Sequence, residues 1–174
     1  MRDTKLILET GRLQLREFLL EDVDALGEIL GDAETMRFYP APLDRNGVAD
    51  WIERNRRRYE NGGVGLWAMT WKSSGELIGD CGLIRQTIDN AAEVEIGYHV
   101  RRDHWRKGLA TEAARACRDY GFAKLEVGSL VSMIRPENFP SRGVAEKNGM
   151  MVEKEVEWRG YQHLVYRIER KALG

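Results

Sequence analysis

The sequence predicts a single α/β (α+β) domain over residues 1–174, and three observations carry that expectation. A chain of 174 residues suffices for one hydrophobic core and is short for two. Segments that alternate like strands are interleaved with segments of helical period along the whole chain. Around residues 105–111 a strand pattern passes through a basic, glycine-containing turn straight into a helix.

The elements follow in order. Leu13, Leu15 and Phe18 roughly alternate with Gln14 and Arg16, which predicts an opening strand. Glu21 and Asp22 suit the first turn of a helix that sets Val23, Leu26, Ile29 and Leu30 at helical spacing. Two prolines and two aromatics in residues 38–42 break the pattern into a loop. A second helix is expected over 47–60, with Trp51, Ile52 and Tyr59 inward and Arg54, Arg56, Arg57 and Arg58 on a solvated face. Residues 65–71 and 77–84 read as strands around a turn at Ser73-Ser74-Gly75-Glu76, and 92–100 as another strand. A helix then runs to about Phe122, followed by a strand over 127–134. Ser141 is placed to cap a helix carrying Val144 and Ala145 and ending at Gly149. Residues 151–157 and 162–169 form a closing hairpin around Trp158-Arg159-Gly160-Tyr161.

Composition narrows the function. Apolar residues at 43% and charged residues at 32% describe a soluble globular chain, not a disordered one. With 27 Lys and Arg against 28 Asp and Glu there is no global positive field, so no nucleic-acid partner is expected and any anion site is local. No apolar run is long enough to span a membrane and the amino terminus is charged, which predicts a cytoplasmic protein with no membrane partner. Cys81 and Cys117 lie in apolar patterns without ligand spacing and read as buried reduced thiols. His104 and His163 are isolated from other ligand-type residues, so no metal is expected.

The basic turn is the first sign of chemistry. The first N–H groups of a helix lack intrahelical partners and carry partial positive charge, so a strand-to-helix junction can hold a pyrophosphate. In Trp105-Arg106-Lys107-Gly108-Leu109-Ala110-Thr111, Gly108 removes a side chain where phosphate approaches the backbone, and Ala110 keeps the helix start narrow. Arg106 and Lys107 add charge at its mouth. Neither G-x-x-x-x-G-K-[ST] nor G-x-G-x-x-G occurs, against an NTPase and a dinucleotide fold.

The run EIGYHVRRDHWRKGLATEA, residues 95–113, resembles the acetyl-coenzyme A signature of the GNAT superfamily of N-acetyltransferases, [QR]-x-x-G-x-[GA]. RPENFPSRGVAEKNGM, residues 135–150, resembles its later motif N-x-x-S-x-x-V-x-E-K-x-G-[FM]. The opening GRLQLREFLLEDVDAL and the closing hairpin are similar to the RimJ/RimL branch. The resemblance implies a mixed, mostly antiparallel V-shaped sheet flanked by helices, with acetyl-coenzyme A as cosubstrate and its pantetheine arm in a split between central strands. It implies that the backbones of Tyr98, His99 and Val100 pair with the pantetheine and polarise the acetyl carbonyl. Arg106, Lys107, Gly108, Leu109, Ala110 and Thr111 would cradle the pyrophosphate, and Asn138 would reach the pantetheine arm. Two departures stand out: Trp105 replaces Gln or Arg, and Ala145 occupies the place of a thiolate-protonating tyrosine.

Attack on a thioester needs a neutral amine. At pH 7 deprotonation costs about 4.6 kcal/mol for a lysine and only about 1 kcal/mol for an α-amine. Alternation over 92–100 sets Glu93, Glu95 and His99 on one face, opposite Val94, Ile96 and Tyr98. Glu95 is the first candidate base and Glu93 the second, against a plain solvated edge. Ser141 is the candidate acid, against a helix cap alone or a thiolate that leaves to water. The expected acceptor is a primary amine, either a protein N-terminal α-amine or a small molecule such as a polyamine or aminoglycoside, chosen by residues 38–42 and 158–161. The reading from another class is a noncatalytic acyl-coenzyme A binding module. Oligomeric state, monomer or homodimer, is open.

Overall fold

The computed structural model describes residues 4–173. In chain order the elements are β1 (Leu6–Glu9), β2 (Leu13–Arg16), α1 (Val23–Leu30), α2 (Arg45–Gly62), β3 (Leu66–Trp71), β4 (Leu77–Ile88) and β5 (Ala91–Val100). After these come α3 (Leu109–Lys124), β6 (Ser129–Ile134), α4 (Phe139–Lys147), β7 (Met151–Trp158) and β8 (Tyr161–Glu169). One eight-stranded sheet has the order β1-β2-β3-β4-β5-β6-β8-β7. Every neighbouring pair is antiparallel except β5 and β6.

Helices cover both faces of the sheet centre, and β3 shows why its sequence is apolar from Leu66 to Met69. Leu66 and Ala68 pack with Phe18, Ile29 and Ile52 on the α1 and α2 side. Trp67 and Met69 pack with Ala113 and Cys117 on the α3 side. A strand buried on both faces loses the alternation of a half-exposed one. Each fully buried large side chain contributes about 1.5–3 kcal/mol, so these layers fix the sheet that carries the cleft. No helix among the described residues is long and apolar enough to cross a membrane.

Four boundaries differ from the sequence reading, each for a local reason. Strand β1 was not anticipated; it is an edge strand of four residues held on β2. Strand β4 extends to Ile88 and β5 starts at Ala91, because Asp89 and Asn90 both take positive φ, 51° and 63°, in a two-residue hairpin turn. Helix α2 starts at Arg45, where the Asp44 carboxylate accepts from Gly47 N at 2.8 Å, and stops against Gly63 at φ 73°. The cap of α4 is Asn138, not Ser141: Asn138 Oδ1 accepts from Ser141 N at 3.2 Å.

Candidate active site

The site opens where β5 and β6 part. They share one register pair, Glu95 with Val131, and β6 pairs with nothing on β5 beyond it. Arg101 N donates to Ile78 O at 2.8 Å, so odd-numbered residues of β5 turn their backbone groups toward β4 and even-numbered ones toward β6. The even carbonyls at either end are taken: Ser132 Oγ donates to Ile96 O at 2.9 Å and Trp105 Nε1 to Val100 O at 2.7 Å. Tyr98 lies between them with its backbone facing the gap. His99 differs from the expectation. Its carbonyl faces Gly79 of β4, so closely that a Cβ built there would lie 2.1 Å away, and its backbone is therefore turned from the gap. What His99 offers the cleft is its side chain.

Beyond β5 the chain makes a short 3-10 turn, Arg102–His104, and then reaches the strand-to-helix junction where an anion is expected. Gly108 has φ 75° and is the N-cap of α3. The first intrahelical bond is Glu112 N to Gly108 O at 3.0 Å, which leaves the amides of Leu109, Ala110 and Thr111 without intrahelical partners. Arg106 also has positive φ, 62°, and this bent entry orients the turn. The Trp105 ring N–H, spent on Val100 O, pins that turn to the end of β5. Arg12 and Thr10 bind the Glu112 carboxylate, at 2.7 Å and 2.5 Å, and hold the first turn of α3 against β1 and β2.

On the other side of the gap lies a cavity of about 250 Å³. Its walls come from four places: Tyr39 and its neighbours before α2, Trp51, Arg54 and Arg58 of α2, the β5–β6 gap, and the β7–β8 turn with Trp158, Arg159 and Tyr161. Both segments expected to choose the acceptor therefore line one space. His163 also lines it, edge-on to Trp158 with ring centroids 5.4 Å apart, and burial lowers its pKa.

Two side chains chemically able to accept a proton line this cavity from one face of β5. His99 Nδ1 lies 2.7 Å from Asp80 Oδ1, its cross-strand partner on β4, with the two side chains 6% and 0% exposed. Trp51 Nε1 donates to the other oxygen, Asp80 Oδ2, at 3.1 Å. The ring is clamped by Tyr39 and Trp51, whose centroids stand 5.1 Å and 5.5 Å from its own. His99 Nε2 is buried and has no hydrogen-bond partner, and His99 is among the residues that line the cavity. With Nδ1–H directed at the carboxylate, Nε2 carries the free lone pair. Glu95 lines the same cavity; Gln86 Nε2 donates to its Oε2 at 3.0 Å, and burial pushes its carboxyl above the usual carboxylate range. Glu93 is elsewhere. It forms an ion pair at 2.6 Å with Arg167, which also binds Glu153, and it does not line the cavity.

From α4, Asn138 and Ser141 reach the cavity. The Asn138 oxygen is occupied by the cap, and the Ser141 carbonyl accepts from Tyr98 Oη at 2.9 Å, tying α4 to β5. Ala145 is buried in the core, so no tyrosine hydroxyl enters from that position. Sequence reading missed Asp80, because its role depends on register across β4 and β5; of the arginines it placed on a solvated face, Arg54 is exposed and Arg58 half-buried, and both also line the cavity. A signal for the arginines was present: Trp51, Arg54 and Arg58 recur at helical spacing, one face of α2.

Known proteins place the chain further. Residues 12–151 match the family model described as an acetyltransferase (GNAT) domain. The chain is 40% identical over 156 residues to the protein YkkB of Bacillus subtilis, covering 88% of each. It is 32% identical over 157 residues to the N-acetyltransferase p20 of Bacillus licheniformis, covering 89% of this chain and 86% of that one. Among solved structures it shares the fold of RimL, a ribosomal L7/L12 α-N-protein acetyltransferase in complex with coenzyme A. That superposition has a TM-score of 0.76 at 17% identity over 95% of this chain and 98% of that one.

Proposed function

This chain belongs to the GNAT family of acetyl-coenzyme A-dependent N-acetyltransferases, and on that premise we propose that it acetylates an α-amine by direct attack in a ternary complex, with His99 as the proton acceptor. The observation that carries the reading is that a single strand, β5, bears a buried imidazole with a free Nε2 and then runs into a helix start with free amides. The amides of Leu109, Ala110 and Thr111, with Arg106, Lys107 and Gly108, hold the pyrophosphate. The Tyr98 N–H faces the gap and suits the acetyl carbonyl, where it stabilises the oxyanion formed on attack. His99 Nε2 takes the proton released from nitrogen, and Asp80 fixes the tautomer that permits this. The C–S bond then breaks, and the thiolate takes a proton from water or from the Ser141 hydroxyl at the same cavity.

Glu95 is the second proton acceptor on this face. We rank it after His99 because Gln86 already donates to it, whereas nothing competes for Nε2. The α-amine is preferred to a lysine on the cost of deprotonation, a difference of about 3.5 kcal/mol, and RimL, which shares the fold, is described as acting on an α-amine. The test is coenzyme A thiol release over a panel of peptides and small amines, with the acetylated amine identified by mass. Tight acetyl-coenzyme A binding without thiol release on any amine would instead establish a noncatalytic binding module.

A further inference from the structure

The acceptor side of the cavity carries an imbalance of charge. Four arginines line it, Arg54, Arg58, Arg135 and Arg159, against one carboxylate, Glu95. Arg135 has its own partner, Glu137, at 2.6 Å. The other three form no ion pair among the described residues, and each is pinned from one side only. Arg54 stands 5.8 Å over the Trp51 ring, Arg159 stands 4.1 Å over the Trp158 ring, and Arg58 donates to Asn55 Oδ1 at 3.1 Å. A guanidinium has five N–H donors, so each retains a free edge.

These three come from two parts of the fold, two from α2 and one from the β7–β8 turn, and they line the same cavity. Burial pulls the pKa of Arg58 down, the charges of Arg54 and Arg159 pull it further, and the Glu95 carboxylate in the same cavity partly offsets them. Arg159 also holds φ 52° in a two-residue turn where asparagine or glycine adopts that conformation at lower cost. Arg54 and Arg159 are exposed and Arg58 is half-buried, so water solvates their free edges in the empty protein; an anion at the cavity replaces that water with charge-assisted hydrogen bonds. The Trp51 ring lies beside both His99 and Arg54, its centroid 5.5 Å from that of the His99 ring and 5.8 Å from the Arg54 guanidinium carbon.

Resting on the amine-acetyltransferase reading, we propose that the acceptor carries a carboxylate or phosphate close to its amine, and that Arg54, Arg58 and Arg159 bind that anion while the amine meets His99. Polycationic amines, such as polyamines and aminoglycosides, are excluded by the same three charges. The pyrophosphate cradle is a separate place, at the start of α3, so saturating coenzyme A leaves the cavity arginines for the acceptor.

The test uses glutamate and phosphoethanolamine as anionic acceptors, glutamine amide as an uncharged one and spermidine as a polycation, all with saturating acetyl-coenzyme A. The expected result is kcat/KM at least tenfold higher for an anionic acceptor than for the uncharged amine, and least for spermidine; which anion leads separates carboxylate from phosphate. In Arg159→Ala and Arg58→Met that preference collapses toward unity through KM, with acetyl-coenzyme A affinity kept. Preference for glutamine amide or spermidine, or an unchanged preference in both variants, overturns the proposal. If no amine is acetylated the transferase reading itself fails, and calorimetry then decides the anion site alone. Phosphoethanolamine or glutamate binding to the coenzyme A complex, and lost in Arg159→Ala, supports the site; no binding of either overturns it.

Discussion

His99 Nδ1 and Asp80 Oδ1 face each other at 2.7 Å across β4 and β5, sealed from solvent, with Trp51 Nε1 on the second carboxylate oxygen. Asp80→Asn keeps the shape but replaces one acceptor with an amide that can donate to Nδ1, which moves the ring proton to Nε2 and removes the free lone pair. A general base contributes about 10²–10⁴-fold. Asp80→Asn is therefore expected to lower kcat by about 100-fold at pH 7, with acetyl-coenzyme A affinity unchanged. Steady-state kinetics with calorimetry checks this, and circular dichroism confirms the fold. Unchanged kcat in a folded variant removes the dyad from the mechanism.

Glu95 has a consequence for stability. Burial raises its pKa in the folded state above its unfolded value, so the folded protein holds that proton more tightly. The sign follows: the stability associated with the protonated carboxyl is full below the ordinary glutamate range and is lost as pH rises through the raised value. Glu95→Gln keeps a neutral group at all pH values. Its Tm relative to the native protein should rise with pH across that window and then level off. A thermal melt series from pH 4 to pH 8 reads it, and a difference independent of pH contradicts it.

Gly108 sits at φ 75°, where a residue with a Cβ costs about 1–2 kcal/mol and a β-branched one more. Gly108→Val should weaken acetyl-coenzyme A binding at least tenfold, because the strained turn displaces the amides that follow it. Gly108→Ala should fall between the two. Titration calorimetry on the folded variants is the check, and equal affinity in all three proteins moves the pyrophosphate elsewhere.

No acyl-enzyme is expected. Cys81 and Cys117 are buried with their sulfurs 3.5 Å apart, and burial pushes the Cys81 thiol away from the reactive thiolate. Replacing either by alanine should cost stability by opening a small void but leave kcat within about twofold. Trapping acetyl on either sulfur during turnover overturns direct transfer.

Much of this was legible in the sequence, and what was not has a physical cause. The strand-to-helix junction was readable because it is contiguous: Gly108 supplies the left-handed turn and the next residues supply amides without intrahelical partners. The shared face of Glu95 and His99 was readable from a period of two. Asp80 was not, because it meets His99 only through the register of β4 on β5, and that register depends on the turn at Asp89 and Asn90. Glu93 lies on the predicted face of β5, yet Arg167, distant in sequence, takes its charge. Ser141 carries the residue type of a cap, but Asn138 three residues earlier performs that task and begins α4 sooner.

The measurement that tests the central claim most directly is a pH–rate profile of coenzyme A release for the native protein and His99→Gln, with one α-amine peptide and one lysine peptide. The native protein should acetylate the α-amine faster at neutral pH. His99→Gln should be slower by about 100-fold there and recover much of the loss as rising pH supplies neutral amine without a base. A His99→Gln profile that overlays the native one, with Glu95→Gln showing the loss instead, would place the proton on the carboxylate, and faster acetylation of the lysine peptide by the native protein would contradict an α-amine acceptor.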